Sequence, residues 1–180
     1  MGRPADGCLS LRRHGLREGG RLYVRPFPVL GLVATFLISG LLSATAVGAP
    51  ASRAVVKAAY NKTVKATILV DGSGRSLYLL TSDPKNQATC AQLAPICPPT
   101  WPALATTGKP MAGAGVDQSL LGTTLGAHGV TQVTYHGHAL YYFHGGNGAG
   151  PGDKKPGDTR GQGFYSIWYV VSPRGTAIRK

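Results

Sequence analysis

Acidic side chains are scarce: 7 Asp and Glu stand against 19 Lys and Arg in 180 residues, and Cys (3), Trp (2) and Met (2) are scarcer still. So few carboxylates leave little from which to build a hard-cation cage or an acid–base pair. Only Cys90 and Cys97 come after the long apolar run, which excludes a four-thiolate zinc site beyond it. No cysteine stands close behind that run, so lipidation at a mature N-terminal cysteine is not supported. The chain also lacks a nucleophile-elbow Gly-x-Ser-x-Gly and a phosphate-binding glycine loop. Its one Ser-x-x-Lys, Ser82 to Lys85, contains Pro84, which turns Asp83 away from helical geometry. What is plentiful is glycine (26) and proline (13), the composition of turn-rich β structure rather than of helices.

No charge occurs between Arg25 and Arg53, and residues 29–46 are almost wholly apolar. Upstream stand Arg3, Arg12, Arg13, Arg17, Arg21 and Arg25 against Asp6 and Glu18. This bias keeps the N-terminus in the cytoplasm and exports the C-terminal remainder of the chain. The expected organisation is a basic cytoplasmic segment over 1–28, a signal peptide or transmembrane anchor helix over 29–49, a tether over 50–65, and a folded domain over 66–175. Ala44-Thr45-Ala46 suits cleavage, while the length of the apolar run suits a retained anchor, and both readings stand. The net charge of +12 is shared between leader and exported part. Anionic partners of the cell envelope, lipid head groups or wall polymers, are expected. Nucleic acid is not, because the lysines are scattered and no recognition helix is evident.

Within the exported part a short pattern recurs. Gly74-Arg75-Ser76-Leu77-Tyr78-Leu79-Leu80 is echoed by Gly137-His138-Ala139-Leu140-Tyr141-Tyr142-Phe143, and each comes after a β-branched run. The first copy reads as a hairpin of strands 66–70 and 76–81 around Asp71-Gly72-Ser73-Gly74, the second as strands 130–135 and 139–143 around His136-Gly137. Each continues through an irregular segment to a Trp-containing run, 100–104 and 166–171, the latter the strongest strand pattern in the chain. A lone hairpin is marginal in water. The expected fold is therefore mainly β: two pseudo-repeated hairpin units, about 66–104 and 130–172, packed into one small domain with short helical or irregular connections. Tyr78, Trp101, Tyr141, Phe143 and Trp168 belong at its centre. A short helix opened by Asp117 is expected within 113–121, and a loop over glycine-rich 145–163.

Leu77-Tyr78-Leu79-Leu80-Thr81-Ser82-Asp83, the two cysteines, Thr100-Trp101-Pro102, Val133 to Phe143, Asp153-Lys154-Lys155-Pro156-Gly157-Asp158 and Ile167 to Pro173 together resemble the bacterial secreted-repeat family of unknown function, predicted lipoproteins with a Tyr-x-aromatic-x-x-Asp motif. The resemblance covers about 64–175. It implies an exported, envelope-associated protein with paired repeats and no settled activity, and its motif positions fall on Tyr78, Asp83, Trp101, Tyr141, Phe143, Asp153 and Trp168. This chain departs from the pattern in its missing lipid-accepting cysteine, in Leu80 where an aromatic is usual, and in the insertion 144–152 ahead of Asp153.

For chemistry the chain offers little. Cys90 and Cys97 are expected to form a structural disulfide outside the cell, contributing roughly 2.5 kcal/mol by closing a short loop. Asp71, Asp83, Asp153 and Asp158 read as turn-stabilising acceptors. His136, His138 and His144 are weak candidates for a copper or zinc site, and His128 stands alone. The tyrosines and other rings of 135–169 divide between core and surface, and the exposed share is the one recognition surface to expect. No cofactor and no catalytic residue is assigned. The function expected is that of a non-catalytic binding or structural envelope module; the alternative is metal or redox handling through the three histidines and surface tyrosines.

Overall fold

A computed structural model describes residues 52–179 of the chain; the basic segment and the apolar run lie outside the described residues. Among the described residues no helix is long and apolar enough to cross a membrane. Strand β1 (Val55–Asn61) pairs antiparallel with β2 (Ala66–Asp71), from Val56 opposite Asp71 to Asn61 opposite Ala66. The Asn61 side chain fixes the turn by accepting from the N–H groups of Thr63 and Val64 at 3.0 and 2.9 Å. The tether expected over 50–65 is therefore corrected: from Val55 onward the chain is part of the domain. Its sequence lacks clean alternation because pairing with β2, not an amphipathic face, holds it.

The remaining strands are short. β3 (Tyr78–Leu80) pairs with β8 (Trp168–Val170) antiparallel, and β4 (Met111–Ala112) runs parallel to β1. β5 (Leu121–Leu125), β6 (Thr131–Tyr135) and β7 (His138–Ala139) form an antiparallel meander. Two helical turns, α1 (Cys90–Leu93) and α2 (Cys97–Thr100), each open on one of the bonded pair Cys90–Cys97. The chain is mainly β, as its composition indicates.

Two details differ from the sequence reading. In place of a helix over 113–121 there is a single 3-10 turn, Gln118–Leu120, with Asp117 Oδ1 accepting from Ser119 N at 2.8 Å. The glycines before it leave nothing to extend a helix. The strand expected from Ser166 starts only at Trp168, because Tyr165 and Ser166 take positive φ (48° and 57°) in a tight turn.

The same three-bond cycle occurs twice. Leu77 N donates to Leu69 O, Leu69 N to Val171 O, and Val171 N to Leu77 O; likewise Leu140 N donates to Val133 O, Val133 N to Leu104 O, and Leu104 N to Leu140 O. Each hairpin is thus completed by the Trp-bearing segment that comes after the other hairpin. At the middle Tyr78 and Tyr141 exchange both backbone bonds at 2.9 Å.

Strand alternation then sorts the side chains. Ile68, Val70, Tyr78, Leu80, Tyr141, Phe143 and both tryptophans fill one core cluster. Leu69, Leu77, Leu79, Val133, Tyr135 and Leu140 fill the second, on the other face. At Gly161 the chain passes so close to the rings that a Cβ would stand 2.6 Å from the Trp101 edge.

Replacing Cys90→Ser is expected to lower stability by about 2–4 kcal/mol while the far-UV circular dichroism keeps its β form. Urea unfolding with and without reductant checks this, and the reduced wild type should match the variant.

Candidate functional site

Trp101 and Trp168 meet face to face, with centroids 4.0 Å apart and ring planes 2° from parallel. Each is delivered by a different device. The α2 turn ends on Trp101, whose N–H donates to Cys97 O at 2.7 Å, so the disulfide anchors that ring's backbone. Trp168 opens β8 and is held by its pairing opposite Leu80. Tyr78 stands edge-on to Trp101 at 5.4 Å and Tyr141 edge-on to Trp168 at 5.1 Å, the geometry that ring quadrupoles favour.

Both tyrosine hydroxyls are buried and both reach carboxylates from the opposite half. Tyr78 Oη donates to Asp153 Oδ2 at 2.7 Å, and Tyr141 Oη donates to Asp83 Oδ2 at 2.8 Å. The other carboxylate oxygens are also served by donors: Asp153 Oδ1 by Arg160 N at 2.8 Å, and Asp83 Oδ1 by Thr89 N and Oγ1 at 2.8 and 2.6 Å. Burial holds both carboxyls above their ordinary value, against the pull of these bonds. Burial and the adjoining carboxylates push both phenols far above theirs. A third such bond lies nearer the surface, where Tyr142 Oη donates to Asp71 Oδ2 at 3.0 Å under the Arg75 guanidinium, 4.4 Å from the ring centre.

The tryptophan pair also forms the inner wall of an apolar cleft of about 320 Å³. Leu93 and Ile96, from the loop between the cysteines, line one side, and Phe164 and Ile167 the other. No ionisable side chain lines it apart from the Tyr165 phenol, and its polar side chains, Thr100 and Asn147, bond to each other at 3.3 Å. At its mouth Leu93 and Ile96 are half exposed and Tyr165 is 81 % exposed. Tyr165 and its neighbour Ser166 hold left-handed backbone, a strain of order 1–3 kcal/mol each that concentrates where a site needs a fixed presentation.

The sequence-predicted residues therefore separate. Tyr78, Asp83, Trp101, Tyr141, Phe143, Asp153 and Trp168 converge on one core. Asp71 and Asp158 cap turns, through Ser73 and Arg75 in one case and Lys154 and Lys155 in the other. The histidines do not assemble into one group. His136 Nδ1 lies 3.1 Å from Arg174 O, His138 Nδ1 is buried without a partner, and His144 stacks on Tyr142 at 6.5 Å. Burial and neighbouring cations hold His138 and His144 below the ordinary imidazole value. Among the described residues no three His, Cys, Asp or Glu come together as a ligand set. Leu93 and Ile96 carry no motif in the sequence. Their one signal is that two bulky apolar residues sit inside a short loop that the disulfide keeps at the surface.

Tyr78→Phe is expected to cost about 1–3 kcal/mol, because it leaves a buried carboxylate oxygen without its donor, and urea unfolding measures it. The three tyrosine-bonded carboxylates, Asp71, Asp83 and Asp153, also impose a pH dependence. Burial pushes Asp71 up, but bonds from Ser73, Arg75 and Tyr142 hold it below its ordinary value, so its contribution is present above the unfolded-state value and is lost as pH falls through its own. Asp83 and Asp153, held up by burial, run the opposite way and favour the fold on acidification. Asp71→Asn should flatten the acid limb of a plot of urea midpoint against pH, and Asp83→Asn should steepen it.

No curated protein and no solved structure matches the chain. Residues 122–172, a span that takes in β6, β7 and β8, match the family described as a secreted repeat of unknown function, the family to which the motifs of this sequence point.

Proposed function

We propose that the protein is a non-catalytic binding module outside the cytoplasmic membrane, built from an internally duplicated repeat, whose ligand is an uncharged, flat, largely apolar molecule seated in the cleft against Trp101 and Trp168. The observation that carries this reading is the cleft itself. Its volume of about 320 Å³ is at the small end of ligand sites, which run from about 300 to 1,000 Å³. Its walls are fixed by a disulfide and a ring stack, so little ordering is required on binding. A charged ligand would be buried there without a counter-ion, which is costly. The basic exported surface fits an envelope location, where anionic head groups or wall polymers would hold the protein near its ligand. The apolar run 29–46 would supply a membrane attachment wherever it is not removed.

The test uses N-phenylnaphthylamine, a neutral flat fluorophore that brightens in apolar surroundings. Saturable binding by the wild type is expected, weakened at least about tenfold by Ile96→Asp, which places a charge at the rim without disturbing the buried rings. Absence of saturation, or binding indifferent to both Ile96→Asp and Leu93→Asp, would overturn the reading.

A further inference from the structure

We propose that Tyr78, Trp101, Trp168 and Tyr141 form a one-electron relay, in which the tryptophan pair at the cleft passes an oxidising equivalent inward to a tyrosine whose proton moves to Asp153 or Asp83. The four rings make an unbroken series of contacts, 5.4, 4.0 and 5.1 Å between successive centroids. Its two inner members line the inner wall of the cleft and are each 2 % exposed, so an oxidant seated there takes the electron across van der Waals contact. Its two ends are buried phenols, each within 2.8 Å of a carboxylate oxygen.

Ordinary core packing does not call for this arrangement. Tyr135 is equally buried, and its hydroxyl donates to a backbone carbonyl, Pro173 O, at 2.9 Å. Tyr169 does likewise with Ser166 O at 3.2 Å. A neutral carbonyl is the cheaper partner, since it brings no charge out of water. The two tyrosines that touch the tryptophans have carboxylates instead. These carboxylates receive only donors, from Arg160, Thr89 and the phenols themselves, so each rests as an ionised acceptor able to take a proton.

In the Tyr78 arm a one-electron oxidant of the peroxide-derived radical class, in the cleft, takes one electron from the stacked indoles and is reduced. One electron from Tyr78 refills the indole cation while the phenolic proton crosses from Oη to Asp153 Oδ2. The products are the reduced oxidant, a neutral tyrosyl radical and a neutral Asp153 carboxylic acid, with no net charge created in the core beyond the one removed. A thiolate reverses the step by giving up one electron to become a thiyl radical, and the proton returns from Asp153 to Oη. Among the described residues the two carboxylates accept from the phenols and not from the indoles, so the resting place of the equivalent is the tyrosine. The relay requires only the oxidant in the cleft, not the apolar ligand, and is independent of the apolar-ligand reading.

The full chain is oxidised with photogenerated trivalent tris(bipyridine)ruthenium, and the radical is followed by transient absorption and by electron paramagnetic resonance of frozen samples. A neutral tyrosyl signal is expected, with its formation slowed in heavy water. The signal should persist in the Tyr60→Phe/Tyr165→Phe double variant, which removes exposed phenol hydroxyls, and be lost in Tyr78→Phe/Tyr141→Phe. Should the second variant fail to fold by circular dichroism, the heavy-water rate on the wild type decides alone. A signal that disappears with Tyr60 and Tyr165, or forms at the same rate in heavy water, overturns the relay.

Discussion

The exchange of buried hydrogen bonds between Tyr78 and Asp153 and between Tyr141 and Asp83 is the constraint on which the rest depends. A carboxylate taken from water is tolerable only where donors surround it, and here each takes a tyrosine hydroxyl from one hairpin and backbone donors from the segment beyond the other. Satisfying the pair fixes the spacing of the tyrosine backbones, which bond to each other at 2.9 Å. That spacing brings the Trp-bearing segments together, and the stack and the cleft are its consequences. The short strands, none among the described residues longer than the 7 residues of β1, are stable because each is held in this closed arrangement rather than in a wide sheet.

Much of this is legible in the sequence. The hairpins are visible because Asp71-Gly72-Ser73-Gly74 and His136-Gly137 carry turn chemistry between β-branched runs, and His136 and Gly137 do take positive φ (51° and 80°). The central aromatic residues are legible from alternation, and Cys90 with Cys97 from their number and place. What alternation does not reveal is the crossing of partners. Nothing local to Tyr78 points to a carboxylate at Asp153, 75 positions away, in preference to Asp83 nearby. β1 escapes for a related reason, since its order comes from β2 and from Asn61, not from its own pattern.

The aspartates illustrate the same limit on the side of function. Their local chemistry types them correctly as turn acceptors: Asp71, Asp83 and Asp153 all take backbone N–H groups. Each also takes a tyrosine hydroxyl, which only the folded arrangement supplies. The recognition surface expected among the tyrosines narrows in the same way. Tyr141 is closed in the core, Tyr142 is occupied with Asp71 and Arg75, and Tyr165 alone of the set stands out into solvent at a cleft. A family description that specifies export and leaves activity open is consistent with a fold whose reactive-looking groups are mostly neutralised by one another.

Completing each hairpin with a segment borrowed from beyond the other has a mechanical meaning. Tension applied along the chain cannot free one hairpin together with the Trp-bearing segment that follows it as a separate flap, because Val171 is tied to Leu69 and Leu77 while Leu104 is tied to Val133 and Leu140. Pulling loads both ties in parallel, as in a knotless splice whose two ropes each pass through the other's lay. Such a splice resists rupture without length, bulk or additional covalent bonds.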